Sequence, residues 1–539
     1  MNYLKYLLWL MFLPHASAQN FLLPLKNQIS LAGNYAELRK NHFHMGLDFK
    51  TDGRENLDVF AVEAGYVSRI LISPNGYGKC IYINHPKHGL TTVYAHLNEF
   101  EPSIQSWTDE TQYALHKNTL DTILPIGLLP IQRGQKIALS GNTGSSQGAH
   151  LHFEFRHLIS EKTINPLIFY PQIQDSKSPV ISKLLLYDMD NGSRLLNAFD
   201  PAKIKHQLVK TPSNYVGIAI AGMDMMNNSS STFGIYSLKI MENNVPKYQF
   251  KLDSLDFSWQ SHIKSISDYH QPYRDIYKGF YEKCGFNLTD SGSLNGIISI
   301  SANEVKNIKI VAEDFKGNAF NLEFQLTSSP FLNGSALKGE LANCASEIVI
   351  KNQDFNIIIP PNGIDRDRYA AYTVSNSNNA KELLKIHLFS ESTAALKPYQ
   401  FIYLGNPASV NHSKLYIESS VDRKHKAYMG YWQGSKLIFP KVKNYGTLTL
   451  KYDLTAPTIG LKPIKSGSSI IFSIDDSESE IGSYKLTIDG QWRKLYYDEK
   501  NNRVIYKILP EDKGKKVNVL LEVEDRVGNK NSKSMEIFL

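Results

Sequence analysis

Two stretches of this chain place histidines and a carboxylate at spacings that could hold a metal ion. In His150-Leu151-His152-Phe153-Glu154, read as a β-strand, His150, His152, Glu154 and Arg156 fall on one face. Leu151, Phe153 and Phe155 fall on the other, where they can fill a core. In His42-Phe43-His44-Met45-Gly46-Leu47-Asp48-Phe49-Lys50 the same parity separates His42, His44, Gly46 and Asp48 from Phe43, Met45, Leu47 and Phe49. A helix would also bring His44 and Asp48 together at i, i+4, but unbroken alternation around a glycine favours a strand. Neutral imidazole and carboxylate are good zinc donors, and a catalytic zinc takes three protein ligands and a water. His44, Asp48 and one histidine of the 150–152 pair make such a set.

Short strands must position these groups. Strand-like runs cover 58–62, 65–72, 79–84, 91–96 and 134–140, separated by Gly53, Gly65, Pro74-Asn75-Gly76 and the 86–89 turn. His96 ends one of them, in Tyr94-Ala95-His96-Leu97. The run Gly141-Asn142-Thr143-Gly144-Ser145-Ser146-Gln147-Gly148 leads directly into the His150 strand. Residues 99–130 interrupt the pattern, with a short helix expected over 107–120, either as a lid beside the site or as a surface excursion. The first domain closes near Asn165-Pro166, with 175–177 as linker.

A chain of 539 residues exceeds one core. Its composition, 42% hydrophobic and 21% charged with abundant tyrosine and phenylalanine, points to a mostly β protein. A net charge of +7 is modest at this length and does not call for a nucleic-acid partner. Residues 1–18 read as a secretory signal: Lys5, an apolar segment over 6–13, and Ala16-Ser17-Ala18 before the cut. No later run is long enough to span a bilayer, so the chain is expected to be exported, either periplasmic or extracellular at the cell envelope.

Of three cysteines, Cys80 lies in an apolar strand and reads as buried packing. Cys284 and Cys344 could pair, although sequence supplies no geometry for it. Of 16 histidines, ten lie in the first 157 residues, which places any chemistry at the front. His42, His85, His88, His116 and His157 sit singly among polar or turn residues and read as surface groups.

The rear carries an internal repeat. Ser178-Pro179-Val180-Ile181 matches Ala456-Pro457-Thr458-Ile459. The 234–240 segment matches 482–488, and Asp314-Phe315-Lys316-Gly317-Asn318 matches Asp525-Arg526-Val527-Gly528-Asn529. Three ordered matches indicate two copies of one β-sandwich module, at 176–328 and 456–539, the first enlarged by a tyrosine-rich insertion. Residues 329–455 form another β-rich unit without a chemical signal.

Taken together, His44-x-x-x-Asp48, Tyr94-Ala95-His96-Leu97 and the glycine run ending in His150-Leu151-His152-Phe153-Glu154 resemble the lysostaphin-type zinc endopeptidases of peptidase family M23. That family cuts peptidoglycan peptides. The resemblance spans residues from about 30 to 170. It implies an antiparallel β peptidase domain of the duplicated hybrid-motif, barrel-sandwich type over 19–175; the repeat and the middle unit add about three sandwich or Ig-like modules behind it. It also implies Zn2+ on His44, Asp48 and His152, with His96 and His150 as catalytic histidines whose individual roles stay open. Glu154 shares their polar face, as an orienting partner or as a surface carboxylate. Ala149 stands where the family usually has proline.

The expected activity is hydrolysis of peptide bonds in peptidoglycan cross-links or stem peptides, with a wall or protein partner for the rear modules. Two other readings use the same fold: a wall-binding or activator protein without activity, and a metallopeptidase with a protein substrate. An activator of that kind loses ligands or catalytic histidines, and none is missing here.

Overall fold

The structure is a computed structural model. It describes residues 21–539 apart from 40–41, 190–192, 269–270, 282–283, 286–293, 330–340, 370, 376–378, 380, 390–392, 394, 406–411 and 422–423. The expected signal at 1–18 lies outside the described residues. The fold is mostly β, and nearly all strand pairs are antiparallel.

The front sheet contains β1 (Leu31–Gly33), β2 (Leu47–Lys50), β3 (Gly65–Ile72), β4 (Lys79–His85), β5 (Leu90–Leu97), β6 (Leu120–Ile123) and β7 (His150–His157). Their spatial order is β1-β2-β7-β5-β4-β3-β6, each antiparallel to its neighbour. The strand with the paired histidines is therefore central. Its register sets His152 opposite Asp48 on one side and Ala95, next to His96, on the other.

The apolar parity of β7 buries as its sequence demands. Leu151, Phe153 and Phe155 have no exposed surface, and Phe153 packs against Phe49, Tyr94, Phe155 and Tyr170. Each such ring contributes roughly 1.5–3 kcal/mol by leaving water. Val59, Ile137 and Ala138 from a second, small sheet join the same core.

Two local expectations change. The 42–50 stretch is not one strand: His42–Phe43 pairs with Leu38–Arg39, and β2 begins only at Leu47. Gly46 bridges them so close to β7 that a Cβ there would meet the Phe153 carbonyl oxygen at 2.3 Å. The expected 107–120 helix is α1 (Pro102–Leu115), which starts five residues earlier. Pro102 occupies the first turn, and the Glu101 side chain accepts the Ser103 N–H as cap. His116 ends the helix in a left-handed conformation, so Leu120 opens β6 instead.

The front core continues into residues 181–326, while separate cores lie within 342–450 and 470–539. Thr163–Ile164 pairs with both β7 and Ser254–Leu255, so the first sandwich extends the front sheet by hydrogen bonds. The middle and last units each stack two antiparallel sheets. Cys284 and Cys344 form a disulfide with Cα atoms 6.0 Å apart, which leaves Cys80 a buried thiol. Among the described residues no helix is long and apolar enough to cross a membrane.

Candidate metal centre

His44 Nε2, Asp48 Oδ1 and His152 Nδ1 meet at three mutual distances of 2.9 Å. All three residues are buried. His150 Nε2 lies 3.4 Å from the same Asp48 oxygen, and the His96 ring is 4.8 Å from that of His150, centre to centre. The β2–β7–β5 register brings together five groups that span 108 residues of sequence.

Each imidazole is pinned by its other nitrogen. His44 Nδ1 donates to the Asn34 carbonyl at 2.6 Å, His96 Nδ1 to Thr143 at 2.9 Å and His150 Nδ1 to Gly148 at 2.8 Å. His152 is reversed: its Nε2 faces Glu154 Oε1 at 2.8 Å, which leaves Nδ1 for the cluster. These bonds select the tautomers. With the outer nitrogens donating, two imidazole lone pairs face a carboxylate oxygen, and such a convergence is satisfied by a cation. Two histidines and one carboxylate fit zinc by donor type.

The electrostatics agree. Burial would raise Asp48, but His44 and hydrogen bonds from His150, His152 and His44 hold it well below the ordinary carboxylate range. Burial opposes a charged His152, yet hydrogen bonds to Asp48 and Glu154 hold it up at about 9, so the pocket draws positive charge. Burial, with its imidazole neighbours, pushes His96 down to about 3 and keeps it neutral.

Behind the ring of His152 stands a buried polar network. Glu154 is wholly buried and is held by Arg156 Nε at 2.7 Å and the Tyr77 hydroxyl at 2.5 Å. It is a partner of the site, not a surface group. Burial resists its ionisation, but Arg156 and then His152 bring it down to about 2. Tyr77 reaches it because the 74–78 turn packs backbone to backbone against the glycine run. A Cβ on Gly144, at φ 71°, would lie 2.4 Å from the Gly76 oxygen and the Gly78 nitrogen. On the opposite side Arg39 Nη2 donates to Asp48 Oδ2 at 3.1 Å.

Residues 42–109 match the family model described as Peptidase family M23. The front of this chain is thus similar to M23 peptidases. An uncharacterized metalloprotease of Haemophilus influenzae is 30% identical over 154 residues, covering 28% of this chain. The match spans about a quarter (26%) of that relative's length. Among solved structures, the catalytic domain of the antimicrobial peptidase lysostaphin from Staphylococcus simulans shares 21% identity over 26% of this chain and 92% of its own, at a TM-score of 0.21. LytU shares 22% over 28% of this chain and 90% of its own, also at 0.21. Scores of that size carry no weight, and the likeness to M23 rests on the sequence matches.

Within the front domain the structure brings together His44, Asp48, His96, His150 and His152. Sequence reasoning missed Asn34, Arg39 and Tyr77. Only the Tyr77 turn carried a signal, in the glycines that flank the tyrosine. His85, expected at the surface, is fully buried because both nitrogens find partners, the Ala64 carbonyl and the Thr92 hydroxyl, each at 2.8 Å. The insertion at 99–130 serves as a platform for the last module: Asp109 pairs with Lys494, Asn118 Oδ1 accepts the Leu495 N–H at 2.8 Å, and Tyr113 and His116 pack on Trp492.

Proposed function

We propose that this chain is a zinc metallo-endopeptidase of the cell envelope, hydrolysing peptide bonds in peptidoglycan cross-links or stem peptides. The observation that carries this reading is the convergence of His44 Nε2, Asp48 Oδ1 and His152 Nδ1 beside two further histidines. Zinc held by these three atoms would supply a water that ionises near neutral pH and a Lewis acid for the scissile carbonyl.

The protein's own groups supply the proton traffic. His96 and His150 each commit Nδ1 to a carbonyl and so present Nε2 to the site. Hydrolysis of an amide removes a proton from the attacking water and delivers one to the leaving amine. One neutral Nε2 can accept, and the other, once protonated, can donate to the developing oxyanion or to the amine. Glu154, Asn34, Thr143 and Gly148 keep the four rings in these orientations.

The wall substrate is supported by the lysostaphin-type motif set and by the match of residues 42–109 to the M23 family model. Export is supported by the signal-like residues 1–18 and by the Cys284–Cys344 bridge, since disulfides persist in oxidising compartments. The rear modules would then hold the enzyme to the wall or to a protein partner.

Digestion of purified peptidoglycan by residues 19–539, with and without a chelator and read by mass spectrometry, tests this reading. New peptide ends that vanish with chelator and return with zinc are expected. Absence of cleavage alongside absence of bound zinc would overturn it.

A further inference from the structure

Outside the peptidase site, two groups of three carboxylates recur at equivalent places. Asp175, Asp224 and Asp314 each bring one oxygen within 4.8 Å of the other two, and Asp453, Asp476 and Asp525 do the same. Asp175 stands four residues before Pro179 and Asp453 four before Pro457. Val180 pairs with Met223 and Thr458 with Asp475, so Asp224 and Asp476 are each the next residue along. Asp314 and Asp525 open the two Asp-x-x-Gly-Asn turns.

The surrounding bonds repeat as well. Asn318 donates its N–H to Asp314 Oδ1 at 2.9 Å and its amide Nδ2 to Oδ2 at 2.6 Å; Asn529 does so to Asp525 at 2.8 and 2.6 Å. The same amides reach the backbone carbonyls of Asp175 and Asp453, at 3.2 and 3.0 Å. The two modules thus share one polar arrangement at the point where each begins.

Hydrogen bonds alone do not complete it. Asp224 is 3% exposed, and its Oδ1 is buried without a partner. In the second copy Ser479 donates its N–H to Asp453 Oδ2, yet its own hydroxyl is buried without a partner. Among the described residues none of the six aspartates has a lysine or arginine salt bridge. Three carboxylates at this spacing repel one another, and a buried oxygen without a partner has given up water for nothing in return.

We infer that each cluster is a binding site for a hard divalent cation of the calcium class, one at the entry of each repeated sandwich. The donors are all oxygen, and they sit on a linker, a strand end and a turn, which suits the adaptable six- to eight-oxygen shell of Ca2+ better than the rigid octahedron of Mg2+. Asp175 belongs to the segment that joins the peptidase domain to the first sandwich, and Asp453 to the segment that joins the middle unit to the last. An ion at each place ties linker to module and fixes the angle at which the module leaves.

Calcium chloride titrated into the chain, first washed with EGTA, freed of chelator and then reloaded with one equivalent of zinc, and followed by isothermal calorimetry, tests this independently of peptidase activity. Two calcium equivalents per chain are expected for the wild type, and one each for Asp224→Asn and Asp476→Asn, which keep side-chain shape. The midpoint of thermal unfolding should rise with calcium in the wild type. Fewer than two equivalents in the wild type, or two retained in either variant, would overturn the pair of sites. The wild-type stoichiometry decides the matter even where a variant fails to fold.

Discussion

Asn34 and Gly234 exchange two hydrogen bonds, each of 2.9 Å, across 200 residues of sequence. Asn34 is also the residue whose carbonyl holds His44 Nδ1, so the first sandwich takes part in aiming the His44 ring. Gln260 of the same module grips the Phe43 backbone, accepting its N–H at 2.7 Å and donating to its carbonyl at 3.2 Å. The segment that carries His44 is clamped on both sides by a module that contributes no ligand. Asn34→Ala keeps the backbone carbonyl that accepts from His44 Nδ1 but frees its loop, so zinc affinity should fall by less than the roughly tenfold that loss of an outer-shell partner costs, while stability drops by about 1–3 kcal/mol through the unpaired Gly234 groups. Competition against a fluorescent chelator, with thermal unfolding alongside, reads both.

Glu154→Gln replaces the acceptor that holds His152 Nε2 and leaves Arg156 without its carboxylate. Zinc affinity should fall about 10–100-fold. Because Arg156 is 3% exposed, the domain should also lose about 3–5 kcal/mol. Tyr77→Phe removes only the hydroxyl and should cost much less on both measures.

On the proposed reading the five-residue cluster divides into ligands and proton carriers. His44→Ala or Asp48→Ala should abolish stoichiometric zinc, measured by atomic emission on the purified chain. His150→Ala should keep one zinc per chain and lose turnover by about 10²–10⁴-fold, the usual weight of a positioned acid or base. Loss of zinc in His150→Ala would invalidate the division.

The last module touches the loop that orients His150. Tyr496 accepts the Gly144 N–H at 3.0 Å, and Lys500 Nζ donates to the Asn142 side chain and the Ser146 carbonyl, both at 2.9 Å. Ser146 Oγ and the Gly148 carbonyl in turn face His150 Nδ1. A Tyr496→Phe, Lys500→Ala variant should keep its zinc and show a kcat about threefold to tenfold lower, as expected for a loosened catalytic geometry. Steady-state kinetics on a fluorogenic wall peptide would show whether KM moves less than kcat.

Within that module Arg493 clamps Asp512 through bonds of 2.7 and 2.8 Å and holds its carboxyl below the ordinary range. The unfolded chain then binds the proton at higher pH than the folded one. The stabilisation is complete above the ordinary aspartate pKa of about 3.9 and is lost as pH falls through the folded value. Unfolding midpoints measured by circular dichroism from about pH 6 to pH 3 should drop less steeply for Asp512→Asn than for the wild type.

Local patterns along the chain suffice to read the front domain's chemical inventory and the repeated motifs behind it. Side-chain parity is a local property of a strand, so His150, His152, Leu151 and Phe153 could be sorted into two faces without knowing any neighbour. His44 and Asp48 were legible in the same way, even though the strand through them is broken at Gly46. The paired Asp-x-x-Gly-Asn turns revealed the duplicated sandwich because a turn is also local. Only the tertiary structure decided which groups face one another. The His152–Asp48 register, the carboxylate of Glu154 as an anchor, Tyr77 and Asn34 behind the rings, the burial of His85 and the docking of Tyr496 on Gly144 all join residues far apart in the chain. No periodicity encodes such bonds, because they arise when separate elements bury a shared core and their leftover donors and acceptors must find each other.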